Sequence, residues 1–413
     1  MINVVFIVSL SLALILFGVA PEYIGLYGML LCFVCIFTCK SFLTLVLGFL
    51  NFSVSIAFDY YLRVWPHGFE FYDLRGIGVE ELALFSTLAF LVVLYLDFIY
   101  LRRGESGVSI PNIQFDVSHK LYWPLLLAVS FCIVFVALNA GSLFSSEFSL
   151  AELKKYSFLE YFSVIVFFFI LSSRDNFRLY LSLFVSALFV GTLLMASYRM
   201  VAIIIVMTIV LAFYRGKQLH RGYLIGGWGL IYVLMALISY FRGGLYDIGL
   251  SQLLGYKDFG YLDNTFTGVI ETALIYSSIY EEVDFSIRFF EFIGVLLPLP
   301  GFLLPDSMIY YSDLDSRYFG RIPGGGLLAG FFYYFDFLFV PVWFFYIGAV
   351  YYCLGLEKVT SWFYSGLVFV MFVSVSRWWL YGPYVLFKFL GVFFLFVVIN
   401  KALLSHSKEG SNG

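Results

Sequence analysis

Charged side chains are scarce in this sequence. They make up 12% of its 413 residues, whereas hydrophobic residues make up 62% and the mean hydropathy is +0.95. About a quarter of the residues in a water-soluble domain are charged, so the composition excludes that class and indicates an integral membrane protein. Short segments of alternating hydrophobicity, which are typical of a membrane β-barrel, are also lacking. The apolar runs therefore predict an all-α, polytopic bundle, because helices satisfy their own backbone hydrogen bonds in lipid.

Motifs for metal or nucleotide chemistry are lacking as well. The four histidines lie in separate connections and form no HxxxH or HExxH spacing, which disfavours a metal hydrolase. No GxxxxGK[ST] loop is present, which argues against the direct use of ATP. All five cysteines lie in apolar runs and are interpreted as buried packing thiols. Neither a metal ion nor a cofactor is expected.

Twelve apolar runs are predicted to cross a membrane. The first lacks a basic n-region and is followed at once by a second run, so it is interpreted as a spanning helix and not as a secretory signal. Nine helices fall in residues 1–241, a long connection covers 242–326, three helices fall in 327–400, and a tail follows over 401–413. The approximate centres of the crossings are Ser11, Phe33, Phe49, Phe90, Ser130, Val166, Ala187, Val206, Leu234, Trp343, Val368 and Val392.

The distribution of lysine and arginine predicts the orientation, because cytoplasmic connections are enriched in these residues. Six connections share one predicted side and contain twelve basic residues, which are Lys40, Arg102, Arg103, Lys120, Arg174, Arg178, Arg215, Lys217, Arg221, Lys358, Lys401 and Lys408. The short connections on the other side contain six, which are Arg63, Arg75, Lys154, Lys155, Arg199 and Arg377. This bias predicts that both termini are cytoplasmic and that the connection 242–326 is external.

Several arginines at the predicted outer side are suited to hold an anionic group. Arg199 lies in a bend between two apolar runs, and Arg242 is followed by two glycines that allow a ligand to approach the backbone. Arg377 precedes two tryptophans, which are expected to anchor at the membrane surface. Arg317 and Arg321 are four residues apart, so one helical face can present both.

Gly324, Gly325 and Gly326 follow this arginine pair and open the next apolar run. A glycine-led helix start exposes amide donors, so the segment is a candidate phosphate cradle. The connection as a whole contains eleven acidic and five basic residues, so local arginines, and not net charge, would hold an anion. Its carboxylates and tyrosines also suit sugar hydroxyls. The carboxylates eligible as a general base, which the sequence does not rank, are Asp247, Asp263, Glu271, Asp313 and Asp315.

From about Leu193 onward, this pattern resembles the Wzy-type O-antigen polymerases. The resemblance is carried by the multi-spanning topology, the short turn that ends at Arg199, the prolines Pro298, Pro300 and Pro305 late in the long connection, and the segment from Pro323 to Gly326 before a tyrosine-rich run. It implies a membrane fold similar to the GT-C-like glycosyltransferases that use lipid-phosphate sugars, with the long connection on the periplasmic side of a bacterial inner membrane.

The resemblance implies a glycosyltransferase that needs neither metal nor nucleotide. It would transfer a growing glycan from undecaprenyl diphosphate to the non-reducing end of a lipid-linked oligosaccharide repeat unit. Membrane lipid and a protein that regulates chain length are further partners that it implies, whereas nucleic acid is not. The arginines Arg199, Arg242, Arg317, Arg321 and Arg377 would then bind the diphosphates, because guanidinium groups stabilise the charge of the leaving group without a change of protonation.

Two alternatives stay open from the sequence. An O-antigen ligase would share the topology and the substrate, but such enzymes are expected to use a histidine in the long outer connection, and residues 242–326 contain none. A flippase or another transporter of lipid-linked oligosaccharides would also be polytopic. Transporters tend to have internal repeats and paired charges near the midplane, and neither is evident in the sequence.

Overall fold

The protein is described here by a computed structural model that covers residues 2–64, 78–101, 107–114, 116–139, 157–196, 198–230, 270, 284–286, 288–289, 339–356, 359–380 and 385–409. These residues are mostly helical. The helices are α1 Ile2–Val19, α2 Ile24–Thr38, α3 Phe42–Asp59, α4 Val79–Tyr100, α5 Tyr122–Asn139, α6 Phe162–Leu171, α7 Asn176–Met195, α8 Arg199–Tyr214, α9 221–230, α10 Phe339–Leu354, α11 Trp362–Val373, α12 Val375–Leu380 and α13 Val385–Glu409. Two short strands, β1 Val108–Ser109 and β2 Gln218–Leu219, form an antiparallel pair.

The described residues are mostly helical, and their apolar helices are compatible with the predicted all-α membrane protein. Five helical spans are both long and apolar enough to cross a bilayer, and they are Pro21–Thr38, Phe42–Arg63, Val79–Tyr100, His119–Leu138 and Asn176–Met195. Five further apolar helices are shorter. Eleven of the twelve predicted centres lie within described helices, and the remaining one, Leu234, lies outside the described residues. The total of twelve crossings stays a prediction.

Apolar side chains on α5 and α7 point away from the described bundle. Phe131 is 71% exposed, Leu138 is 80% exposed and Phe177 is 75% exposed. Large apolar surfaces of this kind are unfavourable in water but are suited to contact with lipid chains. These two helices therefore have the exposure expected at the lipid-facing edge of a membrane bundle.

Six segments of the chain meet at one end of the bundle, which we call the strand end. β1 lies between α4 and α5 and pairs with β2, which lies between α8 and α9. Backbone bridges add the α2–α3 connection, through Ser41 and Ser109, and the α10–α11 connection, through Ile113 and Val359. The same six connections were predicted from basic residues to share one side of the membrane, and the structure brings them to one end.

Side chains bring the remaining two segments to the strand end. The Ser118 backbone N–H donates to Oδ1 of Asn400 on α13 at 2.7 Å, and Asn400 Nδ2 donates to the carbonyl oxygen of Asp116 at 2.9 Å. His119 Nδ1 lies 2.8 Å from the carbonyl oxygen of Ser172, which ends α6. At the beginning of the chain, the Phe6 ring on α1 lies 4.5 Å from that of Tyr95, near the end of α4. Both ends of the described chain therefore lie at the strand end.

The buried carboxylate of Asp97 organises the turn between α2 and α3. Asp97 is 3% exposed, and its oxygens accept from the backbone N–H of Lys40 at 2.9 Å and of Ser41 at 3.0 Å. The Thr44 hydroxyl also donates to Asp97, at 2.6 Å. Because this donation uses the only hydroxyl hydrogen of Thr44, the Tyr351 hydroxyl on α10, 2.7 Å away, is the donor to Thr44. One carboxylate thus connects α3, α4 and α10.

Replacing Asp97 with alanine should lower the free energy of unfolding by about 3 kcal/mol, because buried donors to a charged group lose their acceptor. Thermal unfolding in detergent micelles measures this loss. Asp175→Ala is the matched control, since Asp175 accepts from the Arg178 backbone N–H at 2.8 Å, but its side chain is 51% exposed. Loss of such an exposed helix cap should cost about 1 kcal/mol. Equal losses in the two variants would contradict the assignment of Asp97.

The packing of α2 against α3 depends on small residues. A Cβ added to Gly25 would lie 2.5 Å from the backbone nitrogen of Asp59, so the two helices touch through their backbones there. Deeper in the pair, Asn51 is fully buried, donates to Cys32 Sγ at 3.3 Å and accepts from Ser86 Oγ on α4 at 3.0 Å. All five cysteines are buried and unbridged, as predicted for packing thiols.

Candidate functional site

Most of the residues predicted to form the site lie outside the described residues. Of the predicted arginines, Arg377 is described on α12, and Arg199 is described by its backbone alone as the first residue of α8. The predicted residues that lie outside are Arg242, Arg317, Arg321, Gly324, Gly325, Gly326, Asp247, Asp263, Glu271, Asp313 and Asp315.

Arg377 forms a direct ion pair with Glu160, which lies 217 residues earlier in the chain. Nη2 of Arg377 donates to Oε1 of Glu160, in the 3₁₀ turn Ser157–Tyr161 that leads into α6. Both partners are largely buried, since 10% of the Glu160 side chain and 21% of the Arg377 side chain are exposed. A buried guanidinium and carboxylate stay charged together only when they are paired in this way, so each partner fixes the position of the other.

The local structure around Arg377 is rigid. The helical path breaks at Ser374, whose Oγ donates to the carbonyl oxygen of Val370 at 2.5 Å, and α12 begins at the next residue. Trp378 is fully buried and donates through Nε1 to the carbonyl oxygen of Met371 at 2.9 Å. The prediction that Trp378 and Trp379 anchor at the membrane surface is therefore wrong. Both are buried in the bundle, where Trp378 holds α12 against the end of α11.

Glu160, Arg377 and Arg199 lie at a similar height above the strand end. With a rise of 1.5 Å per residue, α6, which follows the turn that contains Glu160, extends about 14 Å from Leu171, and α11 extends about 17 Å from Trp362 before the break that precedes Arg377. The same rise places Arg199 about 22 Å above Tyr214. Helix α8, which begins at Arg199, packs against both the Ser157–Tyr161 turn and α12. In a hydrocarbon core about 30 Å thick, this height lies toward the surface opposite the strand end.

Two buried hydroxyl groups close to the ion pair in sequence have no hydrogen-bond partner in the described part of the chain. Ser163 is fully buried and follows Glu160 by three residues, on the same helical face. Ser376 is 1% exposed and precedes Arg377. A buried hydroxyl without a partner costs about 1–3 kcal/mol, so each of these hydroxyl groups favours a polar ligand or a water molecule within its own hydrogen-bond reach.

The Glu160 carboxylate differs from the other buried carboxylate paired at this end of the bundle. Asp59 is fully buried and binds Arg63 through both oxygens, with Nε to Oδ1 at 2.5 Å and Nη2 to Oδ2 at 2.7 Å. Glu160 is bound to Arg377 through Oε1, and among the described residues its Oε2 has no hydrogen-bond partner. Glu160 is therefore oriented by one oxygen and can accept a proton or a hydrogen bond with the other.

Sequence reasoning did not single out Glu160, Ser163 or Ser376. The signal was present, because Glu160 is the only charged residue between Lys155 and Arg174 in an otherwise apolar run. An ionisable residue at membrane depth is costly, and such residues usually have a functional role. Within the described ranges, no group of three or more histidine, cysteine, aspartate or glutamate side chains is placed to hold a metal ion.

Comparison of the chain with protein-family models, with curated proteins and with solved structures gives no match.

Proposed function

We propose that the chain is a polysaccharide polymerase of the bacterial inner membrane, a glycosyltransferase that extends glycans carried on undecaprenyl diphosphate. The observation that carries the proposal is the buried Glu160–Arg377 pair, at the height of Arg199 and away from the strand end. A charged site near one surface of an apolar bundle suits a reaction between substrates whose lipid tails stay in the bilayer and whose sugars lie above it. The resemblance of the sequence pattern from about Leu193 onward to Wzy-type polymerases supports the same function.

The charge distribution supports an orientation with the strand end in the cytoplasm. Described basic residues at the strand end are Lys40, Lys120, Arg174, Arg178, Arg215, Lys217, Arg221, Lys401 and Lys408. Those at the opposite end of the bundle are Arg63, Arg199, Arg377 and Lys388. Because basic residues are enriched on the cytoplasmic side, both termini are then cytoplasmic and the Glu160–Arg377 pair lies toward the periplasm.

Aromatic rings beside the basic residues agree with this orientation. Arg178 lies over the rings of Tyr122 and Trp123, at 5.3 and 5.8 Å, and Lys401 lies 5.5 Å from the ring centre of Trp362. Cations and amphipathic rings are both favoured at the level of lipid head groups. The strand end thus has the character of a membrane interface that faces anionic lipid.

In the proposed reaction, the bond between the anomeric carbon of the donor glycan and its diphosphate breaks, and a hydroxyl group of the acceptor repeat unit forms the new glycosidic bond. The leaving group is a lipid diphosphate, whose charge would be stabilised by Arg199, Arg242, Arg317 and Arg321 and by the amides of Gly324 to Gly326. Arginine suits this role because it donates two parallel hydrogen bonds and keeps its charge.

The purified protein should convert a synthetic undecaprenyl diphosphate oligosaccharide into oligomers whose masses differ by one repeat unit. The reaction should proceed in the presence of a chelator and without nucleotide, because cleavage of the bond between the donor glycan and its diphosphate drives it. Mass spectrometry of the released glycans measures the product, and heat-denatured protein is the control. If the glycan is transferred only when a lipid A-core acceptor is added, the protein is a ligase. Movement of the substrate across vesicles without oligomers would indicate a transporter.

A further inference from the structure

We propose that Glu160 is the general base that takes the proton from the acceptor hydroxyl, and that Arg377 is the positioning residue that holds it. This assignment rests on the proposed function and deepens it. It replaces the five carboxylates of the connection 242–326 in that role.

The carboxylate geometry suits a base that is oriented by a partner. Oε1 of Glu160 is bound to the Arg377 guanidinium, and Oε2 has no hydrogen-bond partner among the described residues. About a tenth of the Glu160 side chain is exposed, so a small polar group can reach it. A general base needs a fixed position within hydrogen-bond reach of the proton that it removes, and a second group that holds it there.

Ser163 supplies an independent sign that a polar group belongs at this position. Its buried hydroxyl group has no hydrogen-bond partner in the described chain, and it lies within one helical turn of Glu160. A sugar carries several hydroxyl groups that both donate and accept, so it can satisfy the serine hydroxyl and the free carboxylate oxygen together. The acceptor glycan therefore fits this cluster better than a diphosphate, which would be repelled by Glu160.

The proton and the electrons balance in the proposed step. Oε2 of Glu160 takes the proton of the acceptor hydroxyl as its oxygen forms a bond to the anomeric carbon of the donor. The bond between that carbon and the diphosphate oxygen breaks, and the electron pair leaves with the lipid diphosphate. Glu160 then gives its proton to water, and the guanidinium of Arg377 stays charged throughout. No further reactant is required.

Glu160→Gln keeps the size of the side chain but removes its basicity, so the rate of oligomer formation should fall by about 100-fold or more. Binding of the lipid-linked repeat unit should change little. The thermal unfolding temperature should fall, because the buried guanidinium of Arg377 loses its charged partner, so the rate is compared per folded protein. Glu160→Asp, which keeps a carboxylate one methylene shorter, should retain part of the rate. Asp59→Asn is the matched control, because it also converts a buried, arginine-paired acid at the same end into an amide, and it should keep the specific rate of the folded protein.

Exchanging the charges of Glu160 and Arg377 distinguishes a general base from an ion pair that only stabilises the structure. The double variant Glu160→Arg with Arg377→Glu restores an ion pair, and Glu160→Gln with Arg377→Gln gives a neutral pair in case the exchange does not fold. If the pair only holds the helices together, either double variant that regains thermal stability regains the rate. If Glu160 is the base, the rate stays lost in both.

Each outcome has a distinct meaning. Normal oligomers from Glu160→Gln, or a rate restored by the exchanged pair, would overturn the role of Glu160 while the wild-type protein still supports the polymerase function. A wild-type protein that makes no oligomers would overturn the polymerase function itself, and the base assignment with it. A lost rate in folded Glu160→Gln, with the rate of Asp59→Asn retained, supports both.

Discussion

Cells that carry alanine at Arg199, Arg242, Arg317 or Arg321 should accumulate lipid-linked single repeat units and lose the long chains. Each of these guanidinium groups is proposed to stabilise the leaving diphosphate, and a hydrogen bond to a charged group contributes about 1.5–3 kcal/mol. Loss of one such contact slows each transfer about tenfold to 100-fold, and a long chain requires many successive transfers. The distribution of chain lengths, separated by gel electrophoresis in a deletion strain, measures the effect.

The matched control for these variants is Arg174→Ala, which removes an exposed arginine at the strand end. It should leave the ladder of chain lengths unchanged, because no substrate phosphate is expected on that side. Lysine at each of the four positions provides a second comparison, since it keeps the charge but donates without the paired geometry of arginine. A normal ladder in all four alanine variants would show that the arginine assignment is incorrect.

A membrane-impermeant maleimide should label Glu80→Cys in intact spheroplasts and should label Asn176→Cys only after the membrane is opened. Glu80 is exposed in the first turn of α4, opposite the strand end, and Asn176 is exposed at the strand end where α7 begins. The proposed orientation places these two positions on different sides of the bilayer, so the expected difference is nearly complete. Labelling is measured by the mass increase of the purified protein.

The native cysteines give this experiment a low background. All five are buried, including Cys39 in the α2–α3 connection, so the wild-type protein should take up little reagent. The wild-type protein and the opened membrane are the two controls. Labelling of Asn176→Cys alone in intact cells would invert the proposed orientation, and labelling of both positions would show that they do not lie on opposite sides.

The helical architecture could be predicted because it depends on composition and on local runs. A stretch such as that around Phe90 is apolar over nearly the whole thickness of a bilayer, and in lipid only a helix satisfies the backbone of such a stretch. The grouping of six connections could be predicted too, because lysine and arginine are retained on one side during insertion. Both predictions use properties that are summed over many residues and do not depend on any particular contact.

The candidate site could be predicted only in part, because its contacts join distant residues. Arg377 was selected as a charged residue at a helix end, but nothing in the sequence connects it with Glu160, 217 residues away. Trp378 was expected at the membrane surface because tryptophan is common there, yet a hydrogen bond to Met371 allows it to be buried. Whether a tryptophan lies at the membrane interface or in the protein interior depends on its tertiary hydrogen-bond partners, and these cannot be predicted from hydropathy.

The position of Asn400 on α13 means that its hydrogen bonds to the α4–α5 connection form late in synthesis of the chain. Its side chain bonds Ser118 and Asp116 in the connection between α4 and α5, and these bonds cannot form before residue 400 has been synthesised. In a nascent chain, the Ser118 amide and the Asp116 carbonyl therefore lack these partners while the chain from α5 to residue 400 is still being made. Truncation before α13 would therefore leave the Ser118 amide and the Asp116 carbonyl at the strand end without these hydrogen-bond partners.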